Sequence, residues 1–189
     1  MPAGASTPRR QLIERAGRGD REAFAELAAL EIDRLNGIAT LILRDSDLAQ
    51  DAVQETLIRC WRQLPKLRDL DSFDAWLYRI LVRAAIDEAA RRRRFSVAVR
   101  ALRSEPRSDD GTTDFAERDR LERVFGRLSQ EHRAVVVLRH YADLALTDVA
   151  RALDIPSGTA KSRYHYAMGE LRTALEADAR LVAAREVRA

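Results

Sequence analysis

Residues 147–172 read TDVARALDIPSGTAKSRYHYAMGELR, and the fold is decided by how this stretch is parsed. Thr147 stands where a helix cap belongs, ahead of Val149, Ala150, Ala152 and Leu153. Asp154-Ile155-Pro156 breaks that short helix, and Ser157 offers its hydroxyl to the free amides of a second. On the second helix Ala160, Tyr164, Ala167 and Leu171 recur at steps of three and four, one inward stripe. The opposite side carries Ser157, Thr159, Lys161, Ser162, Arg163, His165 and Tyr166. These donors and cations suit phosphates and base edges in a major groove. The pattern predicts a helix-turn-helix. A helical hairpin with a solvated polar face would share it.

Working outward, the 189 residues suffice for one ordinary domain or two small ones. Alanine, leucine, arginine and acidic residues dominate, which favours helix. No apolar run approaches the ~20 residues of a membrane span, and no secretion signal follows the basic residues near the N-terminus. Neither membrane insertion nor export is therefore expected, and the cytoplasm is the default location. A single cysteine, Cys60, excludes an internal disulfide. With three histidines and no Cys/His cluster, neither a metal nor a cofactor is expected. No nucleophile–base constellation or glycine-rich phosphate loop can be assembled, so no enzyme and no small-molecule substrate are expected.

Net charge is only +3, but its distribution is polar. Asp20 to Ile58 holds nine acids against three bases, and Arg59 to Arg100 holds eleven bases against five acids. That separation suggests one basic and one acidic partner, although solvated helix faces alone could produce it.

The periodicity predicts an all-α chain of two small helical domains joined by a flexible linker, the second a helix-turn-helix. Residues 1–9 read as disordered, 10–95 as the first domain, 96–114 as linker, 115–176 as the second domain and 177–189 as a tail. A first helix should start after Pro8 and a second should be capped by Asp20, with Gly37 near a bend at Asn36. Ser46 should cap the third and Ser72 the fourth, with the loop Lys66 to Asp71 between them after Pro65. The inward stripe of the fourth helix reads Phe73, Trp76, Leu77 and Ile80, which places Trp76 mainly in the core. Tyr78 falls off that stripe. Ser129 should cap the helix carrying Ala134 to Leu138.

Two further clusters carry chemistry. Asp51, Gln54 and Glu55 share the polar side of the third helix and could dock a basic helical partner. Arg91, Arg92, Arg93 and Arg94, with Arg79 and Arg83, could line a nucleic-acid backbone, or simply suit a helix C-terminus.

Four stretches, GDREAFAEL (19–27), DAVQETLIRCW (51–61), FDAWLYRI with RRRR (73–80 and 91–94) and residues 128–172, together resemble bacterial sigma factors of the extracytoplasmic-function (ECF) group. Their order and spacing carry the match, which spans roughly residues 10–175. The resemblance implies core RNA polymerase and promoter DNA as partners, and an anti-sigma factor as a further one. It implies that Asp51, Gln54 and Glu55 meet polymerase. Lys66, Arg68 and Asp69 of the specificity loop, which would hold a flipped base, with Tyr78, Arg79, Arg83 and Arg91 to Arg94, would serve the −10 element, and Tyr78, off the apolar stripe, is the candidate to stack on an unpaired base. The residues from Ser157 to Tyr166 named above would serve the −35 element. Arg83 stands where the family often has asparagine, Tyr166 where it often has arginine and Tyr164 where it often has leucine, so the promoter sequence stays open. The alternative is a stand-alone helix-turn-helix regulator whose first unit senses a ligand or dimerises.

Overall fold

The computed structural model describes residues 8–102 and 124–186, with side chains described to residues 94 and 177 respectively. Among these residues the secondary structure is entirely helical. Four helices make the first unit: α1 (Pro8–Gly17), α2 (Arg21–Leu43), α3 (Ser46–Gln63) and α4 (Phe73–Leu102). Two 3₁₀ turns, Leu64–Lys66 and Leu70–Ser72, bracket the loop between α3 and α4. The second unit enters through a helical turn at 124–127 and continues as α5 (Gln130–His140), α6 (Leu146–Leu153) and α7 (Ser157–Glu186).

Local chemistry sets most of the boundaries. Asp20 caps α2 by accepting from the Ala23 amide at 3.0 Å, and Ser129 caps α5 by accepting from His132 N–H at 3.1 Å. Three expected caps move. Asp45, not Ser46, accepts from the Asp47 and Leu48 amides at the head of α3. Ser72 instead donates to the Asp69 carbonyl at 2.8 Å. Ala145 occupies the cap position of α6 and Thr147 lies inside that helix.

Other boundaries differ as well. Pro8 and Arg9, expected to be disordered, open α1, where proline loses nothing because its first-turn amide would have no helical partner. α4 runs on through Leu102, past the expected linker start, and α7 continues to Glu186 across the expected tail boundary. Residues 1–7 and 103–123, which hold most of the expected disordered N-terminus and linker, lie outside the described residues, as do 187–189. α2 is unbroken from Arg21 to Leu43, with Gly37 inside it.

A single apolar core runs through both units. Leu27, Leu35, Ile38 and Ile42 of α2 and Leu77, Tyr78 and Leu81 of α4 join Val135, Leu138 and Val149 of the second unit. Truncating a fully enclosed member such as Leu35 to alanine would cost about 2–5 kcal/mol. α4 packs on α2 and α3, and also on α6. The core thus places three surfaces on its outside: the outer side of α3, the α3–α4 loop with the α4 arginines, and the exposed side of α7.

Candidate nucleic-acid interface

The α6–α7 turn is built as a helix-turn-helix requires. Asp154 ends α6 in the left-handed region at φ 56°, and its N–H returns to the Ala150 and Arg151 carbonyls. Pro156 and Ser157 then start α7 in a new direction. Ala160 and Ala167 are fully buried against the rest of the second unit, and Ala174 nearly so. Their seven-residue spacing turns the opposite side outward. Ser157, Lys161, Ser162, His165 and Tyr166 are exposed there, and Thr159 and Arg163 are half-buried. Tyr166 is 64% exposed, too much apolar surface to be serving the core. Arg163 is steered by Glu131 of α5, whose Oε2 lies 2.7 Å from Nη2. Tyr164 turns inward, its hydroxyl 3.0 Å from Nε2 of His140.

The second surface is an open cleft of about 590 Å³ between the 66–72 loop and α4. Lys66, Arg68 and Asp69 form one wall, and Trp76 and Arg79 the other. Asp69 shapes the loop by accepting from the Asp71 amide at 3.0 Å. Asp71 is in turn ion-paired to Arg10 of α1. The cleft has an aromatic wall, cations and a carboxylate, the groups that hold a single base.

Here the structure corrects the aromatic assignment. Tyr78 is fully buried, its ring facing the Arg34 guanidinium 5.6 Å away, and burial pushes its phenol up to about 12. It cannot stack on a base in this conformation. Trp76, read as mainly core, is half-buried, stacks obliquely on Phe73 at 5.8 Å and presents its remaining surface to the cleft.

The arginines of α4 do not form one strip. At about 100° per residue, Arg79 and Arg94 lie within about 40° of Arg83, whereas Arg92 points to the opposite side. Arg91 turns toward α3, 2.6 Å from Glu88 and 3.7 Å from Asp51. Arg83 is exposed but ion-paired at 2.5 Å with Asp154 of the second unit.

On α3, Asp51 and Gln54 are exposed, while Glu55 accepts from Arg59 Nε at 2.7 Å. Arg59 also reaches Asp87 of α4 at 3.2 Å, so the acidic side is braced from below. Ile58, 40% exposed, lies on the same side one helical repeat beyond Asp51 and was missed in the sequence. Its signal was an apolar residue at an outward position, beside a shallow groove lined by Phe24, Leu57 and Trp61.

A helical protein with an exposed polar helix face after a helix-turn-helix bend, an open cleft walled by an aromatic ring and cations, and a separate acidic-apolar face has the surfaces of a DNA-binding factor with a protein partner. Residues 28–95 match the family Sigma-70 region 2, and residues 124–173 match Sigma-70, region 4. The chain is 32% identical to the RNA polymerase sigma-E factor of Streptomyces coelicolor, over 84% of this chain and 89% of the relative. It is 36% identical to the ECF RNA polymerase sigma factor SigL of Mycobacterium tuberculosis, over 70% of this chain and 77% of the relative. Its fold resembles that of the sigma factor RpoE from Bartonella quintana, with a TM-score of 0.66 and 23% identity over 83% of this chain and 99% of that one. The chain belongs to the ECF RNA polymerase sigma factors, and is a transcription-initiation factor.

Proposed function

We propose that the chain docks on core polymerase through Asp51, Gln54, Glu55 and Ile58 of α3, and reads the −35 element with the exposed side of α7. The 66–72 loop captures a base flipped from the −10 element, with Trp76 and Arg79 as the facing wall. Capture opposes re-pairing, because the base would have to leave its pocket to rejoin the duplex. Arg79, Arg83 and Arg94 track the backbone beside it. Residues 10–95 and 115–176 are the two working domains. The chain performs no chemistry itself, and acts in the cytoplasm, where polymerase and promoter are.

The observation that carries this reading is the pairing of an exposed polar helix face with a separate open cleft walled by Trp76 and cations on one chain. A repressor that binds closed duplex has no use for the second. An anti-sigma partner belongs to the same proposal. The resemblance implies one, and the RpoE that this fold resembles was solved bound to the anti-sigma factor NepR.

The test is reconstitution with core polymerase on a library of promoter fragments. Core association and run-off transcripts from asymmetric two-part sites are expected. Failure to bind core, with tight occupancy of palindromic operators by the chain alone, would overturn the reading.

A further inference from the structure

Where the end of α2 meets α5, the surface sinks into an apolar cavity of about 500 Å³. Leu41 and Arg44 form one side, Phe125 of the 124–127 turn another, and Val136, Val137 and Tyr141 of α5 and its cap the third. Leu41 is 37% exposed and Tyr141 50%, so the walls keep large apolar side chains in contact with water. Concave, mostly apolar spaces of this size with a few polar groups are where proteins take up small molecules. None of the residues proposed for polymerase or promoter contact lines it.

The charge on the wall is unbalanced. Arg44 stands in the left-handed region at φ 57°, where glycine or asparagine is the usual choice, and its N–H closes α2 on the Thr40 carbonyl at 2.7 Å. Its guanidinium rests on the backbone at Gly126, where an added Cβ would lie 2.6 Å from Cζ. Arg133 of α5 comes close behind and spends its donors on neutral carbonyls. Its Nε donates to Ile42 at 2.9 Å and its Nη1 to Leu128 at 2.7 Å. Burial, and after it the charge of Arg44, pull the Arg133 pKa down. Among the described residues neither guanidinium is in an ion pair. Asp45, the carboxylate on the wall, is turned to the head of α3, where its Oδ1 accepts from the Asp47 and Leu48 amides at 3.0 Å.

We propose that this cavity binds a small amphipathic organic acid, its carboxylate, sulfonate or phosphate on Arg44 and its apolar body between Leu41, Phe125, Val136 and Tyr141. Two like charges held together beside an apolar space are relieved by an anion that carries its own apolar surface. The Arg44 guanidinium supplies paired donors to such a head, and the Thr40 and Ser46 hydroxyls on the rim add neutral ones. A cationic ligand would meet Arg44 with Arg133 behind it. A neutral ligand would leave the excess of positive charge as it is.

The proposal rests on the cavity and its charges and not on the sigma-factor reading, so either can fail without the other. Its two parts separate experimentally. The apolar walls serve any ligand of the right size, whereas Arg44 serves only an anion. Losing a hydrogen bond to a charged group lowers affinity by about tenfold to a hundredfold.

The test is fluorescence titration of the full chain with two probes. One is 8-anilinonaphthalene-1-sulfonate, an aromatic body with one anionic group. The other is N-phenyl-1-naphthylamine, the same rings without the sulfonate. One sulfonate probe should bind per chain, with enhanced and blue-shifted emission. Arg44→Asn removes the charge and suits the left-handed backbone, so the fold should hold. It should weaken the sulfonate probe about tenfold or more and the neutral probe less than twofold. Thr40→Phe, at an exposed wall position, should fill the cavity and abolish binding of both, with helicity unchanged by circular dichroism. Ser46→Trp serves as the second filling variant should Thr40→Phe not fold. Absence of binding, several probes per chain, or undiminished binding in the filled variant overturns the site. Equal losses of the two probes in Arg44→Asn overturn the anionic head. Binding that appears only in Phe115→Ala gives the cavity to the chain's own 103–123 segment and overturns a site for a free acid. Binding that appears only on dilution of a dimer gives it to a second copy, and overturns the site likewise.

Discussion

Arg9 donates from Nε to Oε1 of Glu31 at 2.6 Å, and Glu31 is only 5% exposed. The same guanidinium reaches Asp74 Oδ1 at 2.5 Å and lies 5.2 Å from the centroid of the Phe73 ring. Burial pulls its pKa down, but the hydrogen bonds and charges of Asp74 and Glu31 push it further up, so it stays cationic. One side chain thereby ties α1 to both α2 and α4. Arg9→Ala should leave Glu31 buried without a counter-charge. The expected loss is about 2–3 kcal/mol, below the range for fully buried pairs because Arg9 is 36% exposed. Urea denaturation should show a lower midpoint at unchanged slope, and Arg9→Lys should recover only part, having no fork to reach two carboxylates. A loss under ~0.5 kcal/mol would show that the tie carries no stability.

Trp76 and Tyr78 should part company in function. Trp76→Ala removes the aromatic wall of the cleft and should lower promoter melting, read as permanganate reactivity of unpaired thymines. A stacked base is worth about 1–3 kcal/mol, so the expected loss is about 5- to 150-fold. Tyr78→Phe deletes a buried hydroxyl that has no hydrogen-bond partner among the described residues, and should leave melting and stability nearly unchanged. The reverse ranking would return the stacking role to Tyr78.

The mistaken assignment of Tyr78 has a physical cause. A sequence pattern is read on the assumption that a helix buries one stripe. α4 buries Ala75, Leu77, Tyr78, Ile80, Leu81, Val82, Ala84 and Ala85, because helices pack on more than one of its sides, α6 from the second unit among them. No local periodicity announces a partner that lies some 70 residues away, as Asp154 does from Arg83. Gly37 likewise meets a distant neighbour, the Tyr141 ring more than 100 residues downstream. What is local was legible. The Asp20 and Ser129 caps, the break at Asp154 and the outward residues of α7 all follow from neighbours within one or two turns. Ser46 failed as a cap because Asp45 lay close enough to take the free amides first, and Ser72 because its hydroxyl is turned back to the Asp69 carbonyl.

Cys60 should be chemically silent while the protein is folded. Burial, reinforced by the negative charge of Glu31, pushes its thiol up to about 12, so almost no thiolate exists at pH 8. A thiol reagent should label the native chain about a thousandfold more slowly than the denatured chain, at a rate set by transient unfolding. Rapid native labelling would mean that the α2–α3 core opens readily.

Asp20 should give the first unit an acid-sensitive component. The Ala23 amide and then Arg15 hold its carboxyl below the ordinary carboxylate range. A depressed folded pKa contributes stability that is complete above the unfolded value of about 4 and is lost as pH falls through the lower folded value. Asp20→Asn retains an oxygen for the cap but does not titrate. Its melting temperature should therefore fall less steeply below pH 4 than that of the parent chain. Parallel slopes would remove Asp20 from the account.

Reversing charge at Asp51 and Glu55 to arginine should weaken association with core polymerase without unfolding the chain. Asp51 is exposed and only 3.7 Å from Arg91, while Glu55 is bound to Arg59 at the surface, so each change disturbs a pair that contributes little to folding. Circular dichroism should therefore be unchanged. Across an interface the same charges face a basic partner, and reversing two of them should cost at least tenfold in affinity, with a steeper loss at low salt. Ile58→Ala separates the apolar part: it removes surface already 40% exposed, so stability should barely move while dissociation from core quickens. Undiminished core affinity in both variants, with helicity intact, would take α3 out of the docking surface and leave the acidic first half of the chain without its partner.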